Sequence, residues 1–209
     1  MEKGTHMSQE FTIDVWSDFV CPWCFLGATV LKQLEESHQV TVRWHAFELR
    51  PVGSPPIPDW YREKIKQMRP QFKAIAKTHY GIEIQQGPFG INSRPALIGM
   101  KYAESQSKGK DYHDRVFAAY FQDGADISDL NILRNIVTEI GMDTGEFEAS
   151  LKEVEFDTRV SADVQTAAYY GITGVPAMLF VEKYLMSGAQ PYEELVRIVE
   201  QIKKRDNIV

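Results

Sequence analysis

The strongest constraint on the fold is a pair of cysteines where a predicted strand meets a predicted helix. Cys21 and Cys24 are the only cysteines among 209 residues, and they stand three positions apart in the segment CPWC. The alternating pattern of residues 11–19 predicts a β-strand, and the apolar spacing after Pro22 predicts an α-helix. A second alternating segment, residues 39–49, completes a βαβ unit, which requires parallel strands and a right-handed crossover.

Helical periodicity replaces strand alternation in the middle of the chain. Residues 59–171 follow a proline-rich stretch and carry helical spacing nearly throughout, whereas residues 172–209 predict two short strands and a final helix. A stretch this long without strands exceeds what a loop in a compact domain contains, so it predicts a helical subdomain of its own. The predicted class is therefore α/β, in the order βαβ, helical block, ββα.

The start of the chain has the character of an added leader. MEKGTH precedes a second methionine, Met7, so residues 1–6 are left out of the fold prediction. No apolar signal segment precedes the first predicted strand, and no apolar run approaches the ~18 residues of a membrane span. These features predict a cytoplasmic protein, in a compartment where thiols are kept largely reduced. The net charge of −6 disfavours nucleic acid and anionic membranes as main partners.

The spacing of the two cysteines favours thiol–disulfide chemistry. Side chains at positions i and i+3 of a first helical turn bring two sulfurs close enough to bond with little backbone movement. The helix N-terminus favours the thiolate of Cys21, which is the form that attacks a disulfide, and Cys24 is placed to resolve the resulting mixed disulfide. We therefore expect Cys21 to be accessible and reactive.

Two other interpretations of the cysteine pair stay open. A structural zinc site needs about four ligands, but the chain has no further cysteine and its histidines show no paired spacing. No metal site is therefore predicted. Two inert buried thiols are the other alternative, because cysteine is among the most frequently buried residues.

A second motif, TGVPAM at residues 173–178, follows the helical block. A proline between valine and a predicted strand is a candidate for a cis peptide bond. CPWC after a strand, an inserted helical block and a later Val–Pro turn together resemble the DsbA family of thioredoxin-fold oxidoreductases. The segments CPWCFLG and GPFGINSRPAL are similar to its FrnE-like cytosolic branch.

The resemblance extends over nearly all of residues 11–204. It implies a thioredoxin fold with a mixed four-stranded sheet, formed by residues 10–58 and 172–209, into which residues 59–171 are inserted as an all-helical subdomain.

The resemblance also implies a substrate site. Pro176 would be cis and pack against Cys21, and the backbone of Val175 would pair with an extended substrate peptide by strand addition. No metal or organic cofactor would be needed, because an external thiol such as glutathione or a thioredoxin system would supply electrons. Cysteine-containing proteins or glutathione would be the partners, and the sequence assigns no oligomeric state.

Several side chains near the cysteines are candidates for substrate contact, and each also has an ordinary structural interpretation. Trp23 is expected to be exposed, because the middle of a CPWC turn points outward. Phe25 and Phe89 could form an apolar substrate surface or belong to the core. Asn92 could contact a ligand or cap the helix that follows. His113 is expected at the surface.

The proton acceptor for Cys24 is not apparent from the sequence. Thioredoxin-like proteins often carry a buried acid six residues before the first cysteine, and this position is Val15 here. Glu48 is a candidate acceptor, although a solvated carboxylate at the strand end fits equally well. Asp18 would oppose a thiolate on Cys21 if the two lay close together.

The function predicted first is a thiol–disulfide oxidoreductase that exchanges protein disulfides. The alternative is a glutathione-dependent isomerase or transferase, since kappa-class transferases and 2-hydroxychromene-2-carboxylate isomerases are similar in layout. Those enzymes usually keep serine at the nucleophile position and lack the second cysteine, so the intact pair favours exchange. A binding or chaperone module, using its apolar surface alone, is a third class.

Overall fold

A mixed sheet of four strands lies at the centre of the computed structural model, which describes residues 10–208; the expected leader, residues 1–6, lies outside them. The strand order is β2-β1-β3-β4. The strands are β1 (Thr12–Ser17), β2 (Thr41–Ala46), β3 (Ala177–Phe180) and β4 (Tyr184–Ser187). β1 pairs parallel with β2 and antiparallel with β3, and β3 pairs antiparallel with β4. This topology confirms the predicted thioredoxin fold.

Two helices cover one face of the sheet. They are α1 (Pro22–Ser37) and α8 (Tyr192–Asp206), and their apolar side chains pack on Ile13 and Val15 of β1. β1 is buried along its whole length, as expected for a central strand with helices packed over it. The βαβ unit and the final ββα unit therefore build one core layer, with the cysteines at the end of β1.

Six further helices lie between β2 and β3, in the segment predicted to be helical. They are α2 (Asp59–Tyr80), α3 (Arg94–Ser105), α4 (Gly109–Phe121), α5 (Leu130–Glu139), α6 (Thr144–Ser150) and α7 (Val154–Tyr169). Their main apolar cluster continues into the redox segment, where it includes Phe19 and Cys24. The helical block thus shares its core with the cysteine pair. No helix within residues 10–208 has the length and apolar character of a membrane span.

A charged cluster ties α7 to the sheet. His45 on β2 lies between Asp14 on β1 and Asp163 on α7, at 2.8 and 3.2 Å. Lys101 Nζ lies 2.9 Å from the other Asp163 oxygen. Burial opposes the charge on the imidazole, but the two carboxylates raise the pKa of His45 to about 9. A protonated histidine therefore joins α7 to the two parallel strands at neutral pH.

Candidate active site

Cys21 is the N-cap residue of α1. Its extended backbone (φ −85°, ψ 115°) directs the sulfur over the first turn, where Sγ accepts the Cys24 N–H at 3.4 Å. The Cys21 N–H donates to the Asp18 carbonyl oxygen at 3.0 Å, which fixes the loop between β1 and α1. Pro22 begins the helix, where no backbone donor is needed. The Cys24 N–H and the N-terminus of α1 thus both point at the Cys21 sulfur.

The Val175–Pro176 segment lies against the same sulfur. The peptide bond between these residues is cis, as predicted. The Cys21 thiol donates to the Val175 carbonyl oxygen at 3.5 Å. On α1, a Cβ added to Gly27 would lie 3.8 Å from Pro176 Cγ, so the proline packs on the face of the helix that follows Cys21. The two motifs, far apart in sequence, therefore form one site.

Cys21 is less accessible than expected. Only 3% of the residue is exposed, and Cys24 is 1% exposed. The expectation of an accessible Cys21 is wrong for this conformation, because the cysteine lies within the apolar cluster that α1 shares with the helical block. Trp23 is 40% exposed, as predicted, and its ring meets Phe72 edge-on with 5.5 Å between centroids.

Cys24 is held in its protonated form. Burial raises the pKa of the Cys24 thiol well above its ordinary value, and the neighbouring Cys21 sulfur raises it further. The Asp18 N–H and the Ser17 hydroxyl contact the Cys24 sulfur and oppose this shift without reversing it. A buried thiol that stays neutral is inert until a mixed disulfide forms beside it.

We expect Cys24 to be nearly unreactive in the folded Cys21→Ser variant. Iodoacetamide at neutral pH should modify it at least about tenfold more slowly than in the same variant unfolded in urea, because each unit of pKa lowers the thiolate fraction tenfold. Intact-mass spectrometry against time gives both rates. Equal rates in the two states would contradict the burial of this thiol.

Two buried carboxylates lie beneath the cysteine loop. Asp18 is fully buried, and its carboxylate accepts the N–H groups of Leu49 (2.8 Å) and Val20 (3.3 Å). Burial raises the pKa of Asp18 to about 6, although these hydrogen bonds lower it. Glu48 is also buried and pairs with Arg94 at 2.5 Å. Glu48 is therefore not a solvated carboxylate, and its hydrogen bond goes to Arg94 rather than to Cys24.

Phe25 and Asn92 have structural roles in this conformation. Phe25 is 7% exposed and stacks on Phe121, with ring centroids 4.9 Å apart, so it belongs to the core. The Asn92 side-chain oxygen accepts the Arg94 N–H at 3.0 Å and thereby holds the turn that leads into α3, whose N-cap residue is Ser93. Phe89 is half-buried in the loop between α2 and α3.

His113 is buried rather than at the surface. It is 2% exposed and stacks on Trp44, with ring centroids 3.9 Å apart. The expectation was wrong because α4 turns this side chain toward β2. Among residues 10–208, no three acidic, histidine or cysteine side chains cluster as metal ligands would.

A dithiol at a helix N-terminus faces a cis-proline on a four-stranded sheet of this order, and this arrangement defines a thioredoxin-fold protein with a CPWC site. A family model described as a DSBA-like thioredoxin domain matches residues 12–200. The chain therefore belongs to the DsbA-like thioredoxin family.

Two curated relatives cover most of the chain. The uncharacterized protein YwbO of Bacillus subtilis is 32% identical over 190 residues, which cover 85% of this chain and 90% of YwbO. A 2-hydroxychromene-2-carboxylate isomerase of Pseudomonas putida is 27% identical over 172 residues, or 79% of this chain and 83% of the isomerase.

Solved structures share the fold. A probable DsbA oxidoreductase of Streptomyces coelicolor superposes with a TM-score of 0.77 at 24% identity, covering 91% of this chain and 89% of that one. The cytosolic disulfide reductase DsbM of Pseudomonas aeruginosa, solved with GSH, gives a TM-score of 0.69 at 17% identity, covering 92% and 99%.

Proposed function

We propose that this protein is a thiol–disulfide oxidoreductase that exchanges disulfides with cysteine-containing proteins. The observation that carries the proposal is the position of Cys21. Its sulfur accepts the Cys24 N–H at the start of α1 and faces the Val175 carbonyl across the cis-proline segment. A sulfur at a helix N-terminus, a second thiol one turn away and an adjacent backbone segment are the parts that exchange requires.

Each step transfers electrons between sulfur atoms. The Cys21 thiolate attacks one sulfur of a substrate disulfide, whose S–S bond breaks and releases the other sulfur as a thiolate. Cys24 then loses its proton and attacks the Cys21 sulfur, which frees the second substrate thiol and closes the Cys21–Cys24 disulfide. Run in reverse, the same steps donate a disulfide. The Val175 backbone positions an extended substrate, and the exposed Trp23 ring borders it.

The proposed setting is the cytoplasm, with an external thiol as electron partner. The sulfur-to-sulfur steps use no metal or organic cofactor. Glutathione or a thioredoxin system would return the Cys21–Cys24 disulfide to the dithiol. A structural neighbour described as a cytosolic disulfide reductase, and solved with GSH, supports this choice. The net charge of −6 continues to disfavour nucleic acid and anionic membrane as main partners.

The two cysteine variants test the proposal. Cys21→Ser should reduce exchange with a peptide disulfide to the uncatalysed rate, because the attacking sulfur is lost. Cys24→Ser should instead accumulate a mixed disulfide on Cys21, since the resolving thiol is absent. Rapid acid quenching and intact-mass spectrometry measure both outcomes. Exchange at the parent rate in folded Cys21→Ser would overturn the proposal.

A glutathione-dependent isomerase is the second candidate. The Pseudomonas putida relative favours it, because the match to that isomerase extends over 79% of this chain. Glutathione-supported isomerisation of a small substrate that survives Cys21→Ser, with disulfide exchange absent in the parent protein, would favour this candidate. The intact cysteine pair favours exchange, because both thiols are needed to resolve a mixed disulfide.

A further inference from the structure

Helix α2 is long and little buried. Of its 22 residues, only Phe72 and Ala76 are buried. Near its start, Trp60 is 69% exposed and Tyr61 is 40% exposed. A helix of this length normally buries a continuous apolar stripe, so α2 presents more of its surface to solvent than packing alone requires.

Basic side chains form one line along α2. The helix carries six Lys or Arg and two Asp or Glu, a net charge of +4, which leaves −10 for the remainder of a chain whose total is −6. Five of the six recur at steps of three or four residues and fall within about 80° of one another around the helix axis. We call them the basic stripe: Arg62, Lys66, Arg69, Lys73 and Lys77. It is about 22 Å long.

Most of the basic stripe lacks an acidic partner in the folded chain. Within residues 10–208, Lys77 pairs with Glu83, whereas Lys66, Arg69 and Lys73 have no carboxylate within ion-pair distance. The Arg69 Nε is buried without a hydrogen-bond partner. Like charges at i and i+4 destabilise a helix, so the folded protein keeps an arrangement that weakens α2.

The basic stripe borders the redox site. Phe72 lies next to Lys73 in sequence, shares the apolar cluster of Cys21 and Cys24, and touches the exposed Trp23. A chain bound along α2 therefore passes close to Trp23, which lies between the two cysteines in the sequence.

We infer that the basic stripe docks an acidic segment of the protein substrate, beside the cysteine to be exchanged. The inference rests on the proposed exchange function and names its substrate class. Charge complementarity carries it: a cationic helix on an otherwise anionic chain attracts anionic segments and repels basic ones. An extended peptide of about seven residues spans the stripe, whereas a tripeptide thiol is too short to span it.

Single-turnover exchange with matched peptides tests the inference. Each peptide carries one cysteine, as its mixed disulfide with 2-mercaptoethanol, flanked on both sides by three Glu, three Gln or three Lys. The reduced protein supplies both electrons, releasing the peptide thiol and 2-mercaptoethanol and forming the Cys21–Cys24 disulfide. At low ionic strength, the second-order rate constant should be at least about tenfold higher for the Glu peptide than for the Lys peptide. The ratio should fall toward one in about 0.5 M salt.

Charge reversal on the stripe should change this preference. Lys66→Glu/Lys73→Glu should lower the Glu-to-Lys ratio to one or below. Its matched control is Lys64→Glu/Lys204→Glu, which makes the same change in total charge at exposed positions outside the stripe and should keep the parent ratio. Circular dichroism confirms that both variants keep their helices.

The outcomes separate the inference from the proposed function. Equal parent rates for the Glu and Lys peptides, with rapid exchange of both, would overturn the inference and leave the proposed function standing. No exchange with either peptide or with hydroxyethyl disulfide would overturn both. A parent that sediments as a dimer, when the stripe variant is monomeric, would assign the stripe to a second copy of the chain and also overturn the inference.

Discussion

Arg94→Met is expected to destabilise the folded protein by about 3–5 kcal/mol, because it leaves a buried carboxylate without its counter-charge. The Glu48 side chain is 5% exposed, and Arg94 Nη1 lies 2.5 Å from its Oε2. Arg94 also donates to Asp157 Oδ1 at 2.8 Å and to the Ser161 hydroxyl at 2.9 Å. One guanidinium thus joins the segment after β2 to the starts of α3 and α7. Since whole domains are stable by roughly 5–15 kcal/mol, this single loss is a large fraction of the total.

Urea denaturation of the parent and three variants measures the effect. Arg94→Met/Glu48→Gln should recover much of the loss, because the unpaired negative charge is removed. Arg197→Met serves as the matched control, since its partner Glu194 is on the surface of the same helix, and it should leave the midpoint unchanged. A midpoint for Arg94→Met equal to that of the control would show that the buried pair contributes nothing.

The features that the sequence predicted correctly depend on local patterns. The βαβ and ββα units follow from alternation and helical spacing, and the CPWC segment places Cys21 at a helix start because proline suits the first helical turn. The cis bond before Pro176 depended on the resemblance to a family as well as on the local Val–Pro turn.

The features that the sequence missed depend on contacts between distant segments. Cys21 is buried in an apolar cluster that α1 shares with the helical block, and no pattern within CPWC indicates that packing. His113 is buried because α4 turns it toward Trp44, and its spacing along the helix does not select a partner. Glu48 is buried with Arg94, which is 46 residues away. The one local signal that a charged side chain is buried is its position within an apolar run. Asp18 in the segment VWSDFV has this position.

Asp18 should make the folded protein less stable as the pH rises from about 4 to 7. Burial raises its pKa from 3.8 to about 6, so the folded state holds this proton over a pH range in which the unfolded chain has released it. The stability that Asp18 contributes is therefore fully present below pH 3.8, its pKa in the unfolded chain. It falls as the pH rises through about 6, its pKa in the folded protein. Two units of pKa correspond to about 3 kcal/mol. Above about pH 7 the carboxylate is ionised in both states, and the loss is constant.

Asp18→Asn should remove this dependence, because an amide keeps an acceptor for the Leu49 N–H and does not titrate. The free energy of unfolding of the variant, minus that of the parent, should rise by roughly 2.5 kcal/mol between pH 4 and pH 7, most of the full difference that the two pKa values allow. Urea denaturation at half-unit pH steps gives this difference. Asp59→Asn, at an exposed position in the first turn of α2, removes one negative charge elsewhere and separates the burial effect from a change in net charge. The plots of unfolding free energy against pH for Asp18→Asn and the parent could instead stay parallel across this range. Parallel plots would show that the Asp18 carboxylate titrates alike in the folded and unfolded chains. Complete burial beneath the cysteine loop does not allow that result.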